Sequence, residues 1–181
     1  MKNSPMINSP TALKVVNGLL FNVSWFTLVM AHNVVPAPVV AAVHLAVHFA
    51  LMGRGKSELL LIILVGCAGA LLDQALFAFG VFLVDGQHAL PPLWLSCLWP
   101  VFATTLLHAF SGFHYRPVLA LLLGAVGGTT SYVAGASLSD VSFADPFWGP
   151  VTLAVIWGVL FPLMMMLARR DAETSNAPAT A

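Results

Sequence analysis

Charge is what this chain has least of. Only 8% of its 181 residues are Asp, Glu, Lys or Arg, against roughly 25% in an ordinary soluble domain. Hydrophobic residues make up 59%, and the mean hydropathy is +0.91. A water-soluble globule of this size cannot hide so much apolar surface, and a disordered chain would not carry it. Seven basic and seven acidic residues cancel. The electrostatic footprint of a nucleic-acid binder is therefore missing, and no nucleic-acid partner is expected. Cysteine is nearly absent. Cys67 and Cys97 both fall in apolar stretches and form neither a disulfide framework nor a CxxC pair. There is no GxxxxGK[ST] loop, HExxH pair, GxSxG elbow or EF-hand loop. No arginine-rich helix suggests voltage sensing, and no lipidation signal is present.

What is there is long apolar runs. A membrane span needs roughly 20 mostly apolar residues, and six stretches approach that length: about Ala12–Ala31, Val34–Met52, Glu58–Val84, Leu93–Phe110, Pro117–Ala136 and Pro146–Leu167. The runs lack the alternation of a membrane barrel, so strands are not expected. The first run exceeds the roughly 7–15 apolar residues of a signal peptide and carries Asn17 and Asn22, so it reads as a retained helix. The expected fold is all-α: a polytopic integral membrane protein with six transmembrane helices over residues 12–170, and disordered cytoplasmic tails at 1–11 and 171–181. Short connections predict that consecutive helices pack as antiparallel neighbours.

Orientation follows from the basic residues. With six crossings, Lys2, Lys14, Arg54, Lys56, Arg116, Arg169 and Arg170 all fall on one side, while Asp85, Asp140 and Asp145 fall on the other. Positive residues stay cytoplasmic, which predicts both termini inside and, for a bacterial chain, the inner membrane. Trp94 and Trp148 fall at the outer helix ends, where an aromatic belt belongs.

Polar residues inside these runs need a reason, because an ionisable side chain in hydrocarbon costs roughly 2.5–3.5 kcal/mol or more. Asp73 sits about 22 Å along helix 3 at 1.5 Å per residue. Gly66, Gly69 and Gly80 share its helical face and would admit another helix. It reads as a proton carrier, metal ligand or acid/base, or else as an aspartate that locks two helices together. His44 and His48, four apart, share a face of helix 2. That spacing suits one metal ion, but interhelical hydrogen bonding is the better reading, and no metal or other cofactor is assigned. Helix 5 carries Gly124, Gly128, Ser131 and Gly135 on one stripe with Tyr132 beside it, at the depth of Asp73. The expected polar pocket is Asp73, His44, His48, Tyr132 and Ser131. Asn17, Thr104 and His108 form a second polar belt nearer the cytoplasmic side.

Asn17 and Trp25, His44, Asp73 after Gly69, Phe102-Ala103-Thr104-Thr105 with His108, Gly127-Gly128, Ser131-Tyr132 and Gly135 together resemble a bacterial inner-membrane family catalogued as a domain of unknown function. The resemblance spans about Asn17 to Arg170. Members of that family are often associated with genes for cyclopropane-fatty-acid-synthase-like methyltransferases, which implies a membrane-lipid context. The resemblance brings no activity and no catalytic residues.

Three readings remain open from the sequence. One is an accessory protein or enzyme of membrane-lipid modification, with membrane lipids and other membrane proteins as partners. Another is a small proton-coupled transporter or permease subunit. The third is a structural membrane partner whose polar residues only specify packing.

Overall fold

The computed structural model describes residues 9–31 and 33–175. The tail residues 1–8 and 176–181 lie outside them. Six helices follow in order: α1 (Pro10–Met30), α2 (Ala37–Met52), α3 (Lys56–Ala78), α4 (Leu93–Ala103), α5 (Pro117–Leu138) and α6 (Trp148–Ser175). Four of them, α1, α3, α5 and α6, are long and apolar enough to cross a membrane. With 16 and 11 residues, α2 and α4 are shorter than a full span. Six spans of equal standing therefore become four long helices and two shorter ones.

Burial is inverted relative to a water-soluble protein. On α1 the exposed stripe is Val15, Leu19, Val23, Phe26 and Met30, and the buried face carries Asn17 and Ser24 beside Leu28. Asn17, Ser24, His44, His48, Glu58, Asp73, Thr104, Thr105 and His108 are all buried, while large aliphatic side chains cover the outside of α1, α2, α3, α5 and α6. A bilayer rewards that arrangement and water does not.

Helix extends past the expected boundaries at both ends, from Pro10 and as far as Ser175. Pro10 opens α1 at a position that needs no N–H donor, and Ser9 caps it by accepting from the Ala12 amide at 3.3 Å. At the other end α6 continues to Ser175, and Arg169 pairs with Glu173 one turn on at 2.8 Å.

Helix 3 stops at Ala78, six residues before the expected end. Gly80 takes a left-handed φ of +70°, and the Gly80 and Val81 amides return to the carbonyls of Phe77 and Leu76, a Schellman closure. Gly80 thus terminates α3 and does not belong to the helical face of Asp73. Beyond it, β1 (Phe82–Val84) pairs antiparallel with β2 (Val141–Phe143) in a two-stranded ribbon, against the expectation of no strands. Asp85 (φ +48°) and Gly86 (φ +74°) turn the chain directly after β1, with Val84 and Gln87 exchanging backbone hydrogen bonds.

Helix 4 ends at Ala103, seven residues early. Pro100 removes a backbone donor inside the helix. The Thr104 and Thr105 hydroxyls then donate to the carbonyls of Val101 and Phe102 at 2.7 and 2.6 Å. The chain continues as turns through Thr104–Phe110, and residues 104–108 remain buried. Non-helical backbone at this depth survives because protein surrounds it. Helix 4 packs against α1, α2 and α3, so it stands between α2 and α3. Those two are consecutive but not face-to-face neighbours, contrary to the expectation from their short loop. Trp94, expected in an outer belt, is buried in this packing, whereas Trp148 is exposed.

The middle of α5, Gly124–Gly128, is a π turn. Its glycines receive α6: Gly124 lies against the Trp157 carbonyl and Gly128 against the Trp157 ring.

Candidate functional site

The outer centre is built on Asp73. One turn earlier Gly69 leaves no room for a methyl group, because the Trp99 ring fills that space. The missing side chain lets the indole lie flat on α3 and donate from Nε1 to Asp73 Oδ2 at 2.6 Å. From α5, Tyr132 Oη donates to Asp73 Oδ1 at 2.6 Å. Asp73 is fully buried, and each carboxylate oxygen has one short donor. Trp99 also stacks parallel on Trp157 at 5.4 Å, and Phe102 meets Trp157 edge-on at 5.5 Å.

A cavity of about 190 Å³ opens in front of this centre, between α1, α4, α5 and α6. Its walls include Trp25, Phe82, Trp99, Phe102, Tyr132 and Trp157. Ser131 lines it too and accepts from Trp25 Nε1 at 3.0 Å, which ties α1 to α5. Gly135 is buried on the wall, yet a methyl group there would meet nothing within 4 Å, so it faces open space. Asp73 itself stands behind the wall, reached through Trp99 and Tyr132.

The inner centre is a chain of hydrogen bonds. Thr104 Oγ1 spends its proton on the Val101 carbonyl, so it accepts from His44 Nε2 at 3.0 Å. His44 Nδ1 then accepts from the Ser24 hydroxyl at 2.8 Å. Asn17 takes the Ala109 amide on Oδ1 and offers Nδ2 to the Thr104 carbonyl and to His48 Nδ1 at 3.4 Å. With Nδ1 an acceptor, His48 carries its proton on Nε2 and donates to Glu58 Oε1 at 2.9 Å. His108 Nε2 reaches the same oxygen at 2.9 Å, and the Arg54 amide donates to Oε2 at 2.6 Å.

The structure thus brings Asp73 and Tyr132 together, with Ser131 adjacent on α5. It does not bring His44 to Asp73: with α4 between α2 and α3, His44 turns to Ser24 and Thr104. His44 and His48 join Asn17, Thr104 and His108 in the inner centre, so the expected pocket and belt are partitioned differently. Sequence reading missed Glu58, Ser24 and Trp99. Ser24 lies seven residues after Asn17, on the same helical face. Glu58 follows His48 across a tight connection but reads as a boundary charge. Nothing in the sequence singles out Trp99.

Four helices able to cross a membrane, with buried polar side chains gathered in two hydrogen-bonded centres, are the marks of a multi-pass helical membrane protein. Within that class, the chain belongs to the family described as a protein of unknown function (DUF2878), whose signature matches residues 14–163. No curated protein and no solved structure matches it.

Proposed function

We propose that the protein holds one end of a lipid-like apolar chain in the aromatic cavity, and that it serves membrane-lipid modification as an accessory factor or enzyme. The observation that carries this reading is the cavity itself: an apolar, aromatic-walled space with the Asp73–Tyr132–Trp99 centre directly behind it. Its roughly 190 Å³ is smaller than the roughly 300–1,000 Å³ of a pocket for a whole drug-sized ligand, which suits a chain end better than an entire lipid.

Native mass spectrometry of delipidated protein, with phosphatidylglycerol or a long-chain fatty acid added back, tests this. One lipid per chain is expected on the wild type. Gly135→Leu, whose Cβ would meet nothing within 4 Å, should remove it while the unfolding midpoint holds. Equal binding to both proteins would defeat the reading.

The competing reading, a proton-coupled transporter, draws on the connected inner centre from Ser24 through His48 to His108. Proton uptake by proteoliposomes that stops on Glu58→Gln would favour it.

The proposed setting is the bacterial inner membrane, with both termini cytoplasmic and all six helices crossing or entering the bilayer. Support comes from the segregation of Lys and Arg and from one cluster in the fold. His114, between α4 and α5, is held below its usual pKa, first by burial and then by the positive charges of Arg54, Lys14 and Arg169. Those three basic residues and His114, from four parts of the chain, therefore share one end of the bundle. The Asp85 amide, in turn, donates to the Asp140 carbonyl beside the ribbon. Reporter fusions after Arg170 and within residues 85–90 should read cytoplasm and periplasm respectively; a periplasmic C-terminus would overturn the orientation.

A further inference from the structure

We propose that His48, Glu58 and His108 form a binding site for a first-row divalent transition-metal ion, with zinc the expected occupant. One donor atom from each of His48, Glu58 and His108 lies within 4.8 Å of the others, and both His48 Nε2 and His108 Nε2 stand 2.9 Å from Glu58 Oε1. They come from three separate pieces of the chain: the end of α2, the first turn of α3 and the buried turns after α4. Two imidazoles and one carboxylate are a zinc-type donor set; magnesium and calcium take oxygen cages. Zinc–ligand bonds of roughly 2.0–2.2 Å put tetrahedral donors about 3.4 Å apart. The two 2.9 Å spacings around Glu58 Oε1 therefore need to widen by only about half an ångström. Three protein donors leave the fourth tetrahedral position unassigned.

The supporting shell is also in place. Glu58 Oε2 is anchored by the Arg54 amide, which leaves Oε1 to the ion. The His44 ring lies parallel to His48 at 6.4 Å, and His108 meets His48 edge-on at 5.0 Å, which limits their rotation. The cluster lies where α2 gives way to α3, at the end of the bundle. An ion bound from that end would not have to cross the apolar middle.

Proton placement makes the proposal specific. Without an ion, Asn17 Nδ2 faces His48 Nδ1, so the ring proton sits on Nε2. An ion takes the Nε2 lone pair, and the proton must then sit on Nδ1. No net proton is released from the imidazole. The Asn17 amide has to turn its oxygen toward Nδ1–H, which puts Asn17 in the role of a positioning residue. A carboxylate at position 17 would do this better, as in the carboxylate–histidine–zinc arrangement.

The test uses full-length protein in detergent, stripped with a chelator and titrated with zinc against a chromophoric competitor. One ion per chain is expected, and X-ray absorption should show two imidazoles in the zinc shell. Glu58→Gln and His108→Ala should each weaken binding about a hundredfold or more, and Asn17→Asp should tighten it about tenfold. His114→Ala, which alters a histidine outside the cluster, should bind as the wild type does. Less than one ion per chain, a shell without two imidazoles, or unchanged affinity in both ligand variants would overturn the site. The stoichiometry and the absorption spectrum of the wild type decide the matter even if a variant fails to fold. Gly135→Leu should keep the ion, so the cavity reading and the metal reading fail separately.

Discussion

Glu58→Ala is expected to destabilise the folded protein by about 2–6 kcal/mol, the cost of leaving two buried histidine donors unpaired at roughly 1–3 kcal/mol each. The measurement is the unfolding midpoint in detergent. Three donors lose their acceptor at once: His48 Nε2–H, His108 Nε2–H and the Arg54 amide. The two histidines have little water to turn to, because Glu58 is 1% exposed and His48 and His108 are buried beside it, whereas the Arg54 amide lies on an exposed residue. Glu58→Gln should lose less, since the amide oxygen still accepts from the histidines while its NH2 confronts the Arg54 amide. Glu173→Ala, which breaks an exposed pair with Arg169, should leave the midpoint nearly unmoved. Similar behaviour of the 58 and 173 variants would mean that Glu58 is hydrated and the inner centre is not closed.

Gly124→Ala should cost about 3 kcal/mol, at the upper end for overpacking. The new methyl group would run into the Trp157 carbonyl and come within 2.6 Å of Phe161 Cβ. A helical carbonyl cannot step aside as a flexible side chain can, so α5 and α6 must part, and the cavity wall parts with them. Gly18→Ala is the control. Its nearest neighbour is Ala109 Cβ at 3.9 Å, so the change should be neutral or gain the roughly 0.8–1 kcal/mol of helix propensity. If Gly124→Ala unfolds at the wild-type midpoint, the two helices do not approach this closely.

Much of the fold was legible because apolar length and inward polarity are both local signals. The face of α1 that carries Asn17, the admission of α4 by Gly66 and Gly69, and the common depth of Asp73 and Tyr132 all follow from helical periodicity. Hydropathy misled where an apolar run changes conformation. Phe82-Leu83-Val84 is as apolar as the helix before it, yet Gly80 and Asp85-Gly86 bracket it with turn chemistry. A proline such as Pro100 disfavours helix, but how far the chain unwinds after it depends on the protein packed around residues 104–108. The partners of His44 were not legible at all. They depend on which helix stands beside α2, and chain order does not decide that. Glu58 was hidden for a different reason: near a helix start, a carboxylate that closes a buried cluster looks like one at a solvated boundary.

The π turn in α5 works as a phase setting. One surplus residue between Gly124 and Gly128 fixes the angular offset between the helix entering from Pro117 and the helix leaving through Tyr132. Each residue of an α-helix accounts for about 100° of rotation and 1.5 Å of rise. Shortening the turn by one residue would swing the phenol well away from Asp73 and carry Ser131 off Trp25, with every side chain chemically unchanged. The outer centre therefore depends on a count as well as on composition. Homologous chains that keep Asp73, Trp99 and Tyr132 but differ by one residue in this stretch would present different cavities.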